Sequence, residues 1–336
     1  MASITSKRES ATKIDEEKLV LEAILSPKFK RIFRNMSDDA YALYRTTGFI
    51  NSQELATNYN IDFTKEIRDV YRRVIKKFGF RMRSSLERKY NIFFDAEYKK
   101  QFIDIEIKQT IEMDDTNLDE KMNKINNEFA LAATLFIANQ SENQSNFIRQ
   151  TNIKEINDAV VQEEVLFVSR IAQEEAEVTR LRGDLVFANE AQRSRLNRRI
   201  RQRESQIRET TENSQEVIAE NIGRNLINKS QARSDLIASQ NVGLAESWAR
   251  QTEASLTEAA ALATAAGALV RINKTWIAIL DNKTRAAHSS ADSQEVSVNE
   301  SFVVGGESLL MPRDPNGSPG NIINCRCISQ NSVDTI

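Results

Sequence analysis

The sequence predicts a mainly α-helical protein. Long helices with a hairpin or coiled-coil-like region lead into a small C-terminal α+β module of short antiparallel strands. Three observations predict it. Glycine (10) and proline (4) are scarce in a chain of 336 residues, far below ordinary usage, and the shortage lies upstream of residue 300. Apolar residues there recur at helical spacing, in one stretch as a roughly heptad seam. The single His, both Cys and three of the four Pro gather in residues 276–328, the residue types suited to soft ligation and tight turning.

Residues 1–20 contain no apolar core of the kind a secretory leader needs and are expected to form a mobile polar tail. Residues 21–113 read as a helical domain. Within it, Asn51 and Glu54 have capping-box spacing, and Ile67, Val70, Val74 and Phe78 share one helical stripe. The same helix is locally basic, with Arg68, Arg72, Arg73, Lys76, Lys77, Arg81 and Arg83 interleaved with Tyr71, Phe78 and Phe80. Three readings stay open: aromatic core beneath a solvated basic face, a DNA contact using phosphate neutralisation and stacking, or an acidic protein partner.

Residues 114–274 are expected to form long helices. Leu166, Ile171, Val178, Leu181 and Leu185 mark the heptad seam, and Gly183 and the run 187–191 are candidate bends or turns. The Arg-rich stretch that follows places Leu196, Ile200 and Ile207 in one narrow stripe, with arginines including Arg195, Arg199 and Arg203 around the remaining circumference. Upstream acids, among them Glu163, Glu164, Glu174, Glu175 and Glu177, can pair with these arginines across a hairpin. A DNA contact is the competing use. Ser230 is a candidate N-cap for a helix rich in small residues.

Composition excludes some classes. With 28% charged residues but a formal net charge of −2, the chain as a whole is not a polybasic nucleic-acid binder. The most apolar run, 259–270, is too short for a membrane-spanning helix, which takes about 20 residues. The two Cys are separated by one residue and are poorly placed for an unstrained mutual disulfide.

Residues 275–336 form the predicted module, read as a separately built unit. Two β-branched runs flank Asn299 and Glu300, Gly305-Gly306 marks a turn, and residues 322–329 alternate like a strand. His288, Cys325, Cys327 and Asp281 are candidate ligands for zinc, all acceptable donors to a tetrahedral ion. The competing readings are a packed structural cluster in which Asp281 orients His288, and a thiol hydrolase. Against the latter, the Cys lie outside a helix N-terminus that would activate them, and no Gly-rich phosphate loop is present.

The string Trp276, Asp281, Arg285, His288, Phe302, then Met-Pro-Arg-Asp-Pro at 311–315 and Ile-Asn-Cys-Arg-Cys at 323–327, resembles the C-terminal module of tailed-phage head morphogenesis proteins, the Mu F-like minor head family. A weaker likeness extends back to about residue 130. Ser239 and Gln240 stand where that family has a Thr-Glu pair, and the glycine common soon after its His is absent. The resemblance implies a non-enzymatic structural protein of the virion, in the head or at the portal vertex after assembly in the host cytoplasm. It would act in head assembly, DNA packaging or delivery. Its implied partners are the portal protein, the major capsid protein, other copies of itself and genomic DNA, with no membrane. Trp276, Arg285, Phe302, Asn324 and Arg326 would be structural residues of the module. A metal-dependent or thiol hydrolase or nuclease carried by the His/Cys residues is the alternative.

Overall fold

The computed structural model describes residues 4–90, 123–262 and 270–335, and the side chains of 80–90, 123–127, 260–262, 270 and 335 lie outside that description. The protein is mainly helical, with short antiparallel strands confined to the C-terminal module, as expected. Its helices are α1 (Ile4–Thr47), α2 (Ser52–Tyr90), α3 (Asn123–Phe187), α4 (Glu190–Glu212) and α5 (Ser214–Leu262). The module follows with β1 (Val270–Ile277), α6 (Ala286–Ala291), β2 (Glu295–Ser297), β3 (Phe302–Val304), β4 (Glu307–Leu309), α7 (Pro319–Ile322) and β5 (Ile328–Thr335). Among the described residues no helix is long and apolar enough to cross a membrane.

The chain divides into two compact units whose boundaries differ from those expected. One comprises residues 30–63 and 145–233. Arg233 anchors it: the guanidinium lies 4.4 Å from the Phe33 ring centroid and bonds Glu155 at 2.5 Å and Asn152 at 2.6 Å. Its helical hairpin has the expected form. Val178, Leu181 and Ile200 are buried together, with Leu185, Leu196 and Ile207 packed against them, whereas Leu166, expected in that seam, is 46% exposed. The turn falls at Ala188-Asn189, where Asn189 and Gln192 form a reciprocal capping box. Gly183 lies inside α3 and makes no bend boundary. At Asn51–Glu54 the capping half of the expected box is present, with Glu54 N–H donating to Asn51 Oδ1 at 3.2 Å, while the Glu54 carboxylate accepts from the Asn51 side-chain amide at 3.3 Å.

The other unit comprises residues 1–29, 64–144 and 234–336. Its helical core stacks Trp248 on Phe136 at 4.3 Å, and the Tyr71 hydroxyl donates to Asn241 at 2.6 Å. The module belongs to this unit and does not stand as a separately built body. Arg250 donates to Ser329 O, Gln251 to Val298 O, and the Glu258 carboxylate accepts from the Ile272 N–H at 2.8 Å. Ala254 closes an apolar cluster with Ile272, Val298 and Val333. Strands β2-β1-β5 form one antiparallel sheet, and β3-β4 form a hairpin. Gly305 (φ +60°) and Gly306 (φ +83°) make its two-residue turn, in the left-handed region that such a turn demands.

Three expectations are corrected. Residues 4–20 are not a polar tail but the first turns of α1: Ala11 and Ile14 are buried, Lys7 bonds Thr275 and Glu295, and Arg8 pairs with Asp292. The polar composition is explained by partners that the fold brings from far along the chain. Ser230 caps nothing, because α5 runs through it and its buried hydroxyl donates back to Ile227 O. Residues 323–327 are not a strand, since Asn324 adopts φ +57° and β5 begins at Ile328. The apolar run 259–270 lies largely outside the described residues.

Lys274 is fully buried, donating to Leu310 O at 2.7 Å and Gln251 Oε1 at 3.2 Å. Burial lowers its amine from the ordinary lysine range to about 8, against the attraction of Asp314 and Glu300. The unfolded chain therefore holds more protons than the folded one between pH 8 and the ordinary lysine value. Stability is expected to rise with pH across that window as the buried charge is lost. Urea unfolding at pH 8 and pH 10 should show the rise, and Lys274→Met should abolish that component of the slope.

Candidate metal centre

The loop 323–327 and helix α6 bring three of the predicted ligands together. His288 sits in the middle of α6, whose first residue follows the extended Arg285, and the Arg285 guanidinium donates to Ile323 O. That bond ties the helix carrying His288 to the turn that precedes both cysteines. His288 Nδ1 lies 3.3 Å from Cys327 Sγ and 3.6 Å from Cys325 Sγ, and the three ligand atoms fall within 4.8 Å of one another. All three residues are buried.

These distances fit zinc. With Zn–N of about 2.05 Å and Zn–S of about 2.3 Å, the N···S edge of a tetrahedral site is about 3.5 Å. Direct imidazole-to-thiol packing gives similar separations, so the electrostatics carry the comparison further. Cys325 is held well below the usual thiol range, chiefly by a hydrogen bond from Cys327 and also by His288 and the Arg313 charge, which together outweigh burial. Cys327 is pushed up by that same bond, by burial and by the neighbouring negative charge. The bond between the two sulfurs thus favours the charged form at Cys325 and the neutral form at Cys327. The buried Trp276 indole N–H makes no full hydrogen bond, yet its polarity favours the Cys327 thiolate.

Asp281, expected as the fourth ligand, is not part of the cluster. It accepts from the Lys283 N–H at 3.0 Å and the Thr284 hydroxyl at 3.1 Å in its own turn, and it pairs with Arg326. Burial works against its charge, but these bonds outweigh it and hold the carboxyl below its ordinary range. It does line the same cavity of about 710 Å³, as do Leu19, Lys283, His288, Cys325 and Cys327. Nor does it orient His288, whose Nε2 is buried with no hydrogen-bond partner.

The other predicted module residues form the packing around this centre. Trp276 is fully buried, edge-on to His288 at 5.8 Å and to Phe302 at 5.2 Å. Asn324 makes the left-handed turn into the first cysteine. Arg326 points away from the thiols and bridges Asp281 to Asp15. A residue not singled out in the sequence completes the arrangement. Arg313, 3% exposed and at φ +61°, donates through Nε to Cys325 O at 2.5 Å and through its other nitrogens to Ser239 O and Oγ. A side chain at Gly243 would collide with that guanidinium. The signal was present in the Pro-Arg-Asp-Pro string, but nothing local to it points at residue 239.

The basic candidates disperse. Tyr71 and Phe78 are core, so they are not available for base stacking. Arg68 donates to Ser141 Oγ, Arg72 pairs with Asp69, Lys77 pairs with Glu17 at 3.6 Å, and Lys76 is also engaged, while Arg73 is exposed. The side chains of Phe80, Arg81 and Arg83 lie outside the described residues. On α4, Arg203 pairs with Glu174 and Arg199 lies 3.8 Å from Glu177, as the hairpin reading expects, and Arg195 is exposed.

No family model and no solved structure matches the chain. A stretch of 67 residues is 39% identical to the NAD(+)–arginine ADP-ribosyltransferase EFV of Enterococcus faecalis. The match covers 20% of this chain and 14% of that protein, so the chain spans about a seventh of the relative's length.

Proposed function

We propose that this chain is a structural minor head protein of a tailed phage, located in the head or at the portal vertex and acting in head assembly, DNA packaging or delivery. Its partners on this reading are the portal protein or the major capsid protein, with genomic DNA a further one. The observation that carries the reading is the convergence of the resembling residues. Trp276, His288, Phe302 and the two cysteines come from four separate places in the module and pack together in its buried interior, with Arg285 tying the helix that carries His288 to Ile323 O at its edge. A motif spent on holding its own segments together supports a structural role for the module. Zinc held by His288, Cys325 and Cys327 is part of the proposal: the ion would take the thiol protons' place and crosslink α6 to the loop at 323–327. The transferase activity in the name of the partial relative is not carried over, because the match covers so little of that protein.

The test is incorporation. With the tagged chain expressed alongside a set of phage head proteins, purified heads are expected to contain it, and Cys325→Ser to reduce its incorporation several-fold. Heads that form normally and exclude the wild-type chain would overturn the reading. A Cys325 thiol held below the usual thiol range, 3.6 Å from His288 Nδ1 and lining a cavity, favours a hydrolase as the second reading. It predicts loss of a measurable hydrolytic turnover in Cys325→Ser while incorporation stays normal.

A further inference from the structure

Helix α3 has apolar residues on two separate faces, about 125° apart at 100° per residue, and only one of them is covered. Phe167, Ile171, Val178 and Leu181 are partly or fully buried in the hairpin unit. On the other face Val161, Val165 and Val168 are 60%, 62% and 66% exposed, and exposed Ala172 continues their line. At 100° per residue these four fall within an arc of about 60°. Valine is a poorer helix former than the Lys, Glu or Gln that suit a solvated position, because its branched carbon loses rotamer freedom against the preceding turn. A run of three such residues on the solvent side marks a contact face.

The charges at its ends identify what covers it. Lys154 lies one heptad before Val161, and Glu175 lies one heptad after Val168. Both are exposed, and neither side chain has an ion-pair partner among the described residues. The pattern Lys-Val-Val-Glu at heptad spacing is its own complement when reversed. One two-fold axis that sets Val161 against Val168 of a second copy also sets Lys154 against Glu175 of that copy, with Val165 next to the axis. A parallel, in-register pairing would instead oppose Lys154 to Lys154 and Glu175 to Glu175, which is repulsive at both ends.

We propose that α3 pairs antiparallel with α3 of a second copy through Val161, Val165 and Val168, flanked by two Lys154–Glu175 ion pairs. This rests on the hairpin unit alone and is independent of the head-protein reading. Three valines and two exposed ion pairs are much less than a standard interface, so the association is weak, with Kd on the order of 10–100 μM.

Sedimentation velocity of the full chain from about 1 to 300 μM, a range bracketing that Kd, tests it. A reversible monomer–dimer equilibrium is expected. Val165→Glu should weaken it at least about tenfold with an unchanged far-UV circular dichroism spectrum, since two carboxylates are then brought to the axis. Lys154→Glu and Glu175→Lys should each weaken it, and the two together should restore the wild-type equilibrium. A monomer across the whole range overturns the proposal, as does association that Val165→Glu leaves unchanged. Single charge variants that behave like the wild type would show that the copies do not pair antiparallel through this stripe.

Discussion

Protein purified without chelator is expected to carry about one zinc ion per chain, and Cys325→Ser to lose most of it, because two ligands rarely hold zinc. The reason lies in the convergence of His288 Nδ1 on both sulfurs at 3.3 and 3.6 Å, with the Cys325 thiol held below its usual range. Elemental analysis reads this directly. Cobalt substitution gives a second readout, since thiolate-to-cobalt charge-transfer bands report sulfur ligation without any assay of activity. Binding must also displace the proton held on Cys327, whose thiol is pushed up. Affinity is therefore expected to rise with pH, with measurable proton release. Removing the metal with a strong chelator should lower Tm by about 5–10 °C, which corresponds to a loss of about 3 kcal/mol for a unit of this size. Zinc well below one equivalent in the wild type, unchanged by Cys325→Ser, would sink the metal and leave the packed cluster.

Arg313→Ala is expected to destabilise the unit that contains the module by about 3–5 kcal/mol, among the largest effects of any single substitution in the chain. The guanidinium is buried, and its bonds reach the Cys325 carbonyl and both the carbonyl and hydroxyl of Ser239. Truncation leaves those acceptors dry and unpaired. It also frees the loop that presents Cys325, so zinc affinity should fall with stability. Arg313→Lys keeps the charge but cannot span both acceptors with a planar fork, and it should recover only part of the loss. Gly243→Ala approaches the same contact from the helix side and should cost about 1–3 kcal/mol, because its methyl group would occupy the guanidinium's place. Urea unfolding of the three variants gives the ranking. A loss below about 1 kcal/mol for Arg313→Ala, within the range of ordinary surface changes, would show that the clamp is not structural.

The sequence by itself determined the helical class, because scarcity of glycine and proline and a repeating apolar stripe are local properties that local hydrogen bonding satisfies. It also determined the Asn51 cap, the turn within 187–191 and the Gly305-Gly306 turn, whose geometry is complete within a few residues. Three of the four candidate metal ligands, His288, Cys325 and Cys327, were legible from residue type and from their concentration in one segment, and the fold brings them together. The fourth was not. Whether Asp281 serves a metal or Arg326 depends on where the Arg326 side chain goes, and that is set jointly with Asp15, more than 300 positions away. The N-terminal residues were misread for the same reason. Lys7 and Arg8 look solvated in the sequence and acquire partners only when α1 meets Glu295 and Asp292. Arg313 shows the limit most plainly. Its motif was visible, but its role is fixed by Ser239 and by the space left at Gly243, and no pattern along the chain encodes a distance between side chains that only folding brings together.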